Sequence, residues 1–140
     1  MEGHFVMKDL MIIKPTKKDL NSAYAVFETT IPDAFKKEGI GHLKEEILKE
    51  IEYKKHLITD SLENSDIDFL VAKLDDKVIG TISFGPCGSD IKKCTNNQLD
   101  AIGELGSVYV LPHFQGKGVG SALIQSMIKF LHELGVEQFC

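Results

Sequence analysis

The stretch Gln115-Gly116-Lys117-Gly118-Val119-Gly120 carries the most legible chemistry in the chain. Before it, Leu105 to Leu111 is apolar and rich in β-branched and aromatic residues, which reads as a buried strand. Pro112 stops that strand, because proline has no N–H to give a neighbour. After it, Val119, Ala122, Leu123, Met127, Phe130, Leu131 and Leu134 recur at helical spacing. The first backbone N–H groups of a helix lack intrahelical partners, and the helix dipole favours negative charge there. Glycines at 116, 118 and 120 remove the Cβ atoms that would keep a bulky anion from those groups. Lys117 is either a phosphate contact or a solvated cation, and Ser121 is either a phosphate donor or a polar helix position. The stretch reads as a phosphate or pyrophosphate cradle, the bland alternative being a tight turn that allows close helix packing.

Two familiar phosphate loops fail on position. No window supplies Gly-x-x-x-x-Gly-Lys-Ser/Thr. The dinucleotide pattern starts at Gly116 and Gly118 but finds Ser121 where its third glycine belongs, and residues 121–140 are too few for the βαβαβ unit it needs. The pattern Gln/Arg-x-x-Gly-x-Gly/Ala is met by Gln115, Gly118 and Gly120. With the lead-in Val-Tyr-Val-Leu-Pro-His-Phe, the stretch closely resembles motif A of the GNAT superfamily of acetyl-CoA-dependent N-acetyltransferases.

That resemblance implies a fold, a co-substrate and a set of roles. The fold class is α/β (α+β), with a mixed, mostly antiparallel central sheet and helices on both faces. Acetyl-CoA is the implied co-substrate, with no metal. Backbone amides of Gln115, Gly116, Lys117, Gly118, Val119 and Gly120, with Ser121 beside them, are the implied pyrophosphate contacts. Val108, Tyr109 and Val110, on a strand bulged in the family, are the implied contacts to pantetheine and thioester. Glu104 stands where several members carry a general-base glutamate, eleven residues before Gln115. An amine protonated at neutral pH, with a pKa near ~10, must lose a proton before it attacks, and a carboxylate could take it directly or through a water. The bland reading of Glu104 is an exposed residue at a strand start. Tyr109 reads as core rather than acid, His113 as a bystander, and Cys140 as a buried strand cysteine.

The rest of the chain sets bounds. Its 140 residues suit one domain, 1–140, with a core of its own. Hydrophobic residues at 43% and charged residues at 26% are ordinary globular values. No apolar run approaches the roughly twenty residues of a membrane span, and no secretory leader pattern opens the chain. A net charge of −5 argues against a nucleic-acid partner and mildly favours an amine. Three cysteines, Cys87, Cys94 and Cys140, contain no Cys-x-x-Cys pair, so a reducing cytoplasm is the simple expectation.

The elements that must position the cradle follow from periodicity. Leu10 to Lys14 reads as a strand, and Thr16 with Asp19 as a capping box. Leu20, Ala23, Tyr24, Phe27 and Ile31 form a helical stripe that Pro32 is expected to end. A second helix to about Ser61 has Leu43, Ile47, Leu48, Ile51 and Ile58 as its expected buried side. Glu45–Lys49 and Glu50–Lys54 are its expected solvent-side pairs. Ile67 to Leu74 and Lys77 to Phe84 form a hairpin about Asp75-Asp76, with Gly80 marking a bulge or a close approach. Gly85 to Asp100 reads as a polar loop, and Val136 to Cys140 as a short last strand. The order β-α-α-β-β-β-α-β is that of the leading part of a GNAT domain, C-terminally short. The family's further helix and strands do not follow here, so either the chain is truncated or another copy covers the fifth strand's open edge, as a homodimer or swapped assembly. Two functions stay open: N-acetyl transfer to a small-molecule, polyamine or protein amine, or a non-catalytic coenzyme A-binding module, regulatory or an inactive fragment.

Overall fold

The computed structural model describes residues 9–63, 67–86, 102–133 and 138–139, without the side chains of 86, 102–106 and 138–139. Strand β1 (Met11–Ile13) leads through a 3-10 turn at Lys17–Asp19 into α1 (Leu20–Lys37) and α2 (Lys44–Ser61). Strands β2 (Asp68–Leu74), β3 (Lys77–Pro86) and β4 (Ile102–Val110) follow, then α3 (Val119–Glu133) and β5 (Gln138–Phe139). The sheet order is β1-β2-β3-β4-β5. The first four strands are antiparallel, and β5 pairs parallel to β4 through Ile102–Gln138 and Gly103–Phe139. Among the described residues no helix is long and apolar enough to cross a membrane.

Strand alternation divides the core into two layers. Phe69 and Val71 of β2 and Val78 of β3 join Ala23, Phe27 and Ile31 of α1 and Ile47, Ile51 and Ile58 of α2. Leu70 and Ala72, with Ile79, Ile82 and Phe84, face Val119, Leu123, Met127 and Leu131 of α3. Burial on both faces explains why β2 is apolar from Phe69 to Leu74 apart from Lys73. Asp75 and Asp76 both hold positive φ, 49° and 69°, as the two corners of a two-residue hairpin turn require. Gly80 meets both expectations set for it. Ala72 pairs with Gly80 and Lys73 with Val78, so Ile79 is an extra residue in β3. A Cβ on Gly80 would also lie 3.2 Å from Leu123 Cδ1 and from the Tyr109 carbonyl oxygen.

Two expectations for the helices are corrected. Pro32 does not end α1, which continues to Lys37. The stripe runs on through Phe35, which packs on the core. The carbonyl deprived of its partner by Pro32 belongs to Glu28, an exposed residue, so water can satisfy it. Leu43, just before α2, and Leu48 within it face solvent, Leu48 being 60% exposed. The buried side is Ile47, Ile51, Lys54 and Ile58, at the 4-3-4 spacing of one helix face. Lys54 is therefore not on the wet side: it is only 7% exposed, with Glu50 Oε2 3.8 Å away. Strand β1 is shorter than expected, and Leu134, the rest of the expected last strand (136, 137 and Cys140) and most of the 85–100 loop lie outside the described residues.

The start of α1 is tied to the sheet by a buried ion pair. Lys73 Nζ donates to Asp19 Oδ1 at 2.7 Å, with both residues almost fully buried. Asp19 Oδ2 also accepts from the Thr16 backbone N–H at 2.8 Å and from its hydroxyl at 3.1 Å. Burial alone would raise the Asp19 pKa. The hydrogen bond from Lys73, with those from Thr16, outweighs it and holds the carboxyl below its usual value. Its contribution to stability is thus present above the unfolded carboxylate range and lost as pH falls through the lower folded value. Lys73→Met leaves that carboxylate buried and unpaired and is expected to cost about 3–5 kcal/mol in a urea titration at neutral pH. In Asp19→Asn the decline of stability on the acid side should be shallower than in the parent; an identical decline would remove Asp19 from it.

Candidate functional site

The described turn begins where β4 ends. Leu111 N–H donates to the Ile79 carbonyl at 2.9 Å, which fixes the strand end against β3. Pro112–Phe114 then make one 3-10 turn. Gln115 Nε2 reaches back to the Val110 carbonyl at 2.9 Å, so this side chain closes the turn onto the strand it follows. Gly116 and Gly118 hold φ of +76° and +90°, and no atom lies within 4 Å of where a Cβ would sit on either. The left-handed backbone accounts for glycine at these two positions, and the space before them is open. The bond from Ala122 N–H to the Gly118 carbonyl, 2.9 Å, starts α3, leaving the amides of 119–121 at the helix N-terminus.

Val119 is buried beside Leu123 and anchors the first turn of α3. Gly120 lies where a Cβ would be 3.9 Å from Val110 Cγ2 and 4.0 Å from Val108 Cγ1. Val108 and Val110 thus face α3 and flank the cradle, and Val108 is 38% exposed. Lys117 and Ser121 are exposed on the turn and the first turn of α3. His113 is exposed too, its ring edge-on to Phe114. Tyr109 points the other way, its ring 5.7 Å from Phe27 at 81°. Burial, more than the charge of Glu50, raises its pKa above the usual phenol value, and a hydrogen bond with Ser107 offsets part of that rise. It packs with the α1 layer, on the face opposite to Val110, so it is core as read, and its side chain does not share the face of Val108 and Val110.

Strand β4 is bulged. Ile82 pairs with Val108 and Phe84 with Leu105, so β4 advances three residues while β3 advances two. At the bulge the Ser107 N–H donates to the Ser83 hydroxyl oxygen at 3.0 Å instead of to a strand carbonyl. Lys54 Nζ donates to Ser107 Oγ at 2.9 Å. Glu104 pairs with Gly85 on the N-terminal side of the bulge, and its side chain lies outside the described atoms. The structure therefore gathers Gln115 to Ser121 with Val108 and Val110, and places Glu104 on the same strand.

The residues that periodicity missed are Lys54, Ser83 and Ser107. The available signal was Lys54 itself, a charge at the third position of the Ile47, Ile51, Ile58 stripe. Among the described residues no three His, Cys, Asp or Glu side chains form a group able to hold a metal. Cys87, Cys94 and Cys140 lie outside the described residues.

Gly120→Asp gives a clean test of the cradle. Its Cβ meets only ordinary contacts, and a carboxylate in the first turn of a helix is favourable by about 0.3–1 kcal/mol. The variant should keep or raise its thermal midpoint while losing the upward shift that coenzyme A produces in the parent. An undiminished shift in the folded variant would mean that the pyrophosphate lies elsewhere.

The model of the acetyltransferase (GNAT) family matches residues 26–140. Among solved structures, the chain is similar to the PaiA N-acetyltransferase of Thermoplasma acidophilum in complex with coenzyme A. The TM-score is 0.70 at 24% identity, over 91% of this chain and 74% of that one. A GNAT-family acetyltransferase of Brucella melitensis in complex with acetyl-CoA gives a TM-score of 0.60 at 26% identity, over 93% and 73%. The aminoglycoside N-acetyltransferase AAC(6')-Iy in complex with CoA gives 0.62 at 18% identity, over 94% and 74%. A search of curated protein sequences gives no match. Because the family match runs from within α1 through the bulged strand and the glycine turn, the chain belongs to the GNAT family of acetyltransferases.

Proposed function

We propose that the chain transfers the acetyl group of acetyl-CoA to a primary amine, of a small molecule or a protein, by direct attack in a ternary complex. One observation carries this reading: an open, left-handed glycine turn stands at a helix N-terminus directly after a bulged strand. A pyrophosphate fits the first part, where the dipole and amides of α3 favour an anion. A polarised carbonyl fits the second, because a bulge frees backbone groups from the ladder to act as donors. Acetyl-CoA supplies an activated acyl group joined to a pyrophosphate by a flexible arm, and so spans both parts.

In this reading the amides of Gly116 to Gly120 hold the pyrophosphate, and Gln115 keeps the turn closed on the Val110 carbonyl. Val108 and Val110 give the arm an apolar wall beside α3. Tyr109, packed on Phe27 and kept neutral by burial, serves as a wall of the α1 layer. Glu104 is the base, taking the ammonium proton of the acceptor directly or through a water. The net charge of −5 suits a cationic acceptor better than a polyanion.

Glu104→Gln keeps the shape and removes the proton acceptor. Turnover of an amine acceptor is expected to fall ~10²- to 10⁴-fold, with coenzyme A affinity unchanged. The variant should recover in part as pH rises, since solvent then deprotonates the amine. A wild-type rate in the variant at every pH would take the proton away from Glu104. If a panel of amines gives no thiol release with the parent protein while coenzyme A still binds, the chain is a non-catalytic coenzyme A-binding module.

A further inference from the structure

Lys54 is the one charged residue in the buried stripe of α2, set between Ile51 and Ile58. A leucine there would pack without having to bury a charge, and burying an ammonium is costly unless its donors are used. Lys54 does not escape to solvent, for its side chain is 9% exposed. Among the described residues its nearest carboxylate, on Glu50, is 3.8 Å away, beyond hydrogen-bond reach. The rings of Tyr53 and Tyr109 lie 5.6 and 5.8 Å from Nζ, adding cation–π attraction. Its short contact is the 2.9 Å bond to Ser107 Oγ.

Ser107 is a residue of the β4 bulge, and it has bonds in two directions. Its backbone N–H goes to Ser83 Oγ, at 3.0 Å, and its hydroxyl accepts from Lys54. The bulge is therefore held from below by Ser83 on the neighbouring strand and from above by an ammonium on a helix. Lys54 is the one of these groups that lies outside the two strands, and through it the position of α2 is coupled to the bulge.

We propose that Lys54 is a positioning residue for acyl transfer: through Ser107 it fixes the bulge of β4 in the shape that presents backbone donors to the thioester. The inference rests on the acetyl-transfer reading, and it assigns that reading a residue on α2, outside the glycine turn and β4. Removing the ammonium leaves pyrophosphate binding intact, because the glycine turn keeps its own bonds to β3 and β4. It loosens the bulge and so weakens what happens at the acyl group.

Lys54→Met keeps the length of the stem and removes the charge. The expected result is a kcat lowered by about tenfold or more, as for loss of a charged hydrogen bond, with coenzyme A affinity unchanged. Amide exchange at Ser107 should speed up by about the same factor. Ser107→Ala should give a similar kcat, and the double variant should be no worse than either single one, since both remove one interaction. Additive losses, or a Lys54→Met protein altered only in thermal midpoint, would leave Lys54 a packing residue and overturn the proposal. The exchange rate at Ser107 and the ratio of acetyl-CoA to coenzyme A affinity decide the matter even if no amine is acetylated. A Lys54→Met protein with parental values of both sinks the proposal, whereas a failed amine panel sinks only the activity on which it rests.

Discussion

Strand alternation across β3 and β4 is the constraint on which the rest of this structure depends. Side chains on successive residues point to opposite faces, so a one-residue slip moves a whole strand's side chains to the other layer. The sheet contains two such slips, at Ile79 in β3 and around Ser107 in β4. After the first, Val78 stays with α1 while Ile79, Ile82 and Phe84 face α3. After the second, Tyr109 joins the α1 layer and Val110 the α3 layer. Both bulges are thus compatible with two full cores, and the second falls where the chain turns toward the glycine cradle.

Charge inside the α1 layer follows the same geometry with two different outcomes. Lys73 extends the odd-numbered face of β2 and meets Asp19, whose carboxylate neutralises it at 2.7 Å. Lys54 reaches the same layer from α2 and meets a neutral hydroxyl, with its acidic neighbour a turn away. The first pair closes on itself and reads as a fastening of α1 to the sheet. The second, among the described residues, directs its charge at a strand irregularity.

Much of this was legible because the relevant signals are local. The glycine pattern predicted the turn, and positive φ at Gly116 and Gly118 is the backbone reason those residues are glycine. The Asp75-Asp76 hairpin and the irregularity at Gly80 were legible in the same way. What sequence could not supply depended on tertiary neighbours. Pro32 reads as a helix end until Phe35 is seen to pack on the core. Leu48 reads as core and Lys54 as solvent-facing, because an apolar count ranks residue types without fixing the phase of the helix. Ser83 and Ser107 carry no signal at all before the bulge that joins them is known.

The two-residue turn at Asp75-Asp76 also sets an order in time. The β2–β3 ladder joins residues that are 3 apart at Leu74–Lys77 and 16 apart at Asp68–Phe84. The β3–β4 ladder joins residues 17 apart at Pro86–Gly103 and 30 apart at Gly80–Val110, and the Lys54–Ser107 bond spans 53. Loop-closure entropy grows with such separations, and isolated hairpins close in roughly 1–10 μs. The chain is therefore expected to zip outward from the hairpin and to complete the β4 bulge late, an order that φ-values at Val71 and Ser107 would read directly. The bulge thus closes after the hairpin, while the β1–β2 pairing, 58 to 62 residues apart, closes over longer loops still.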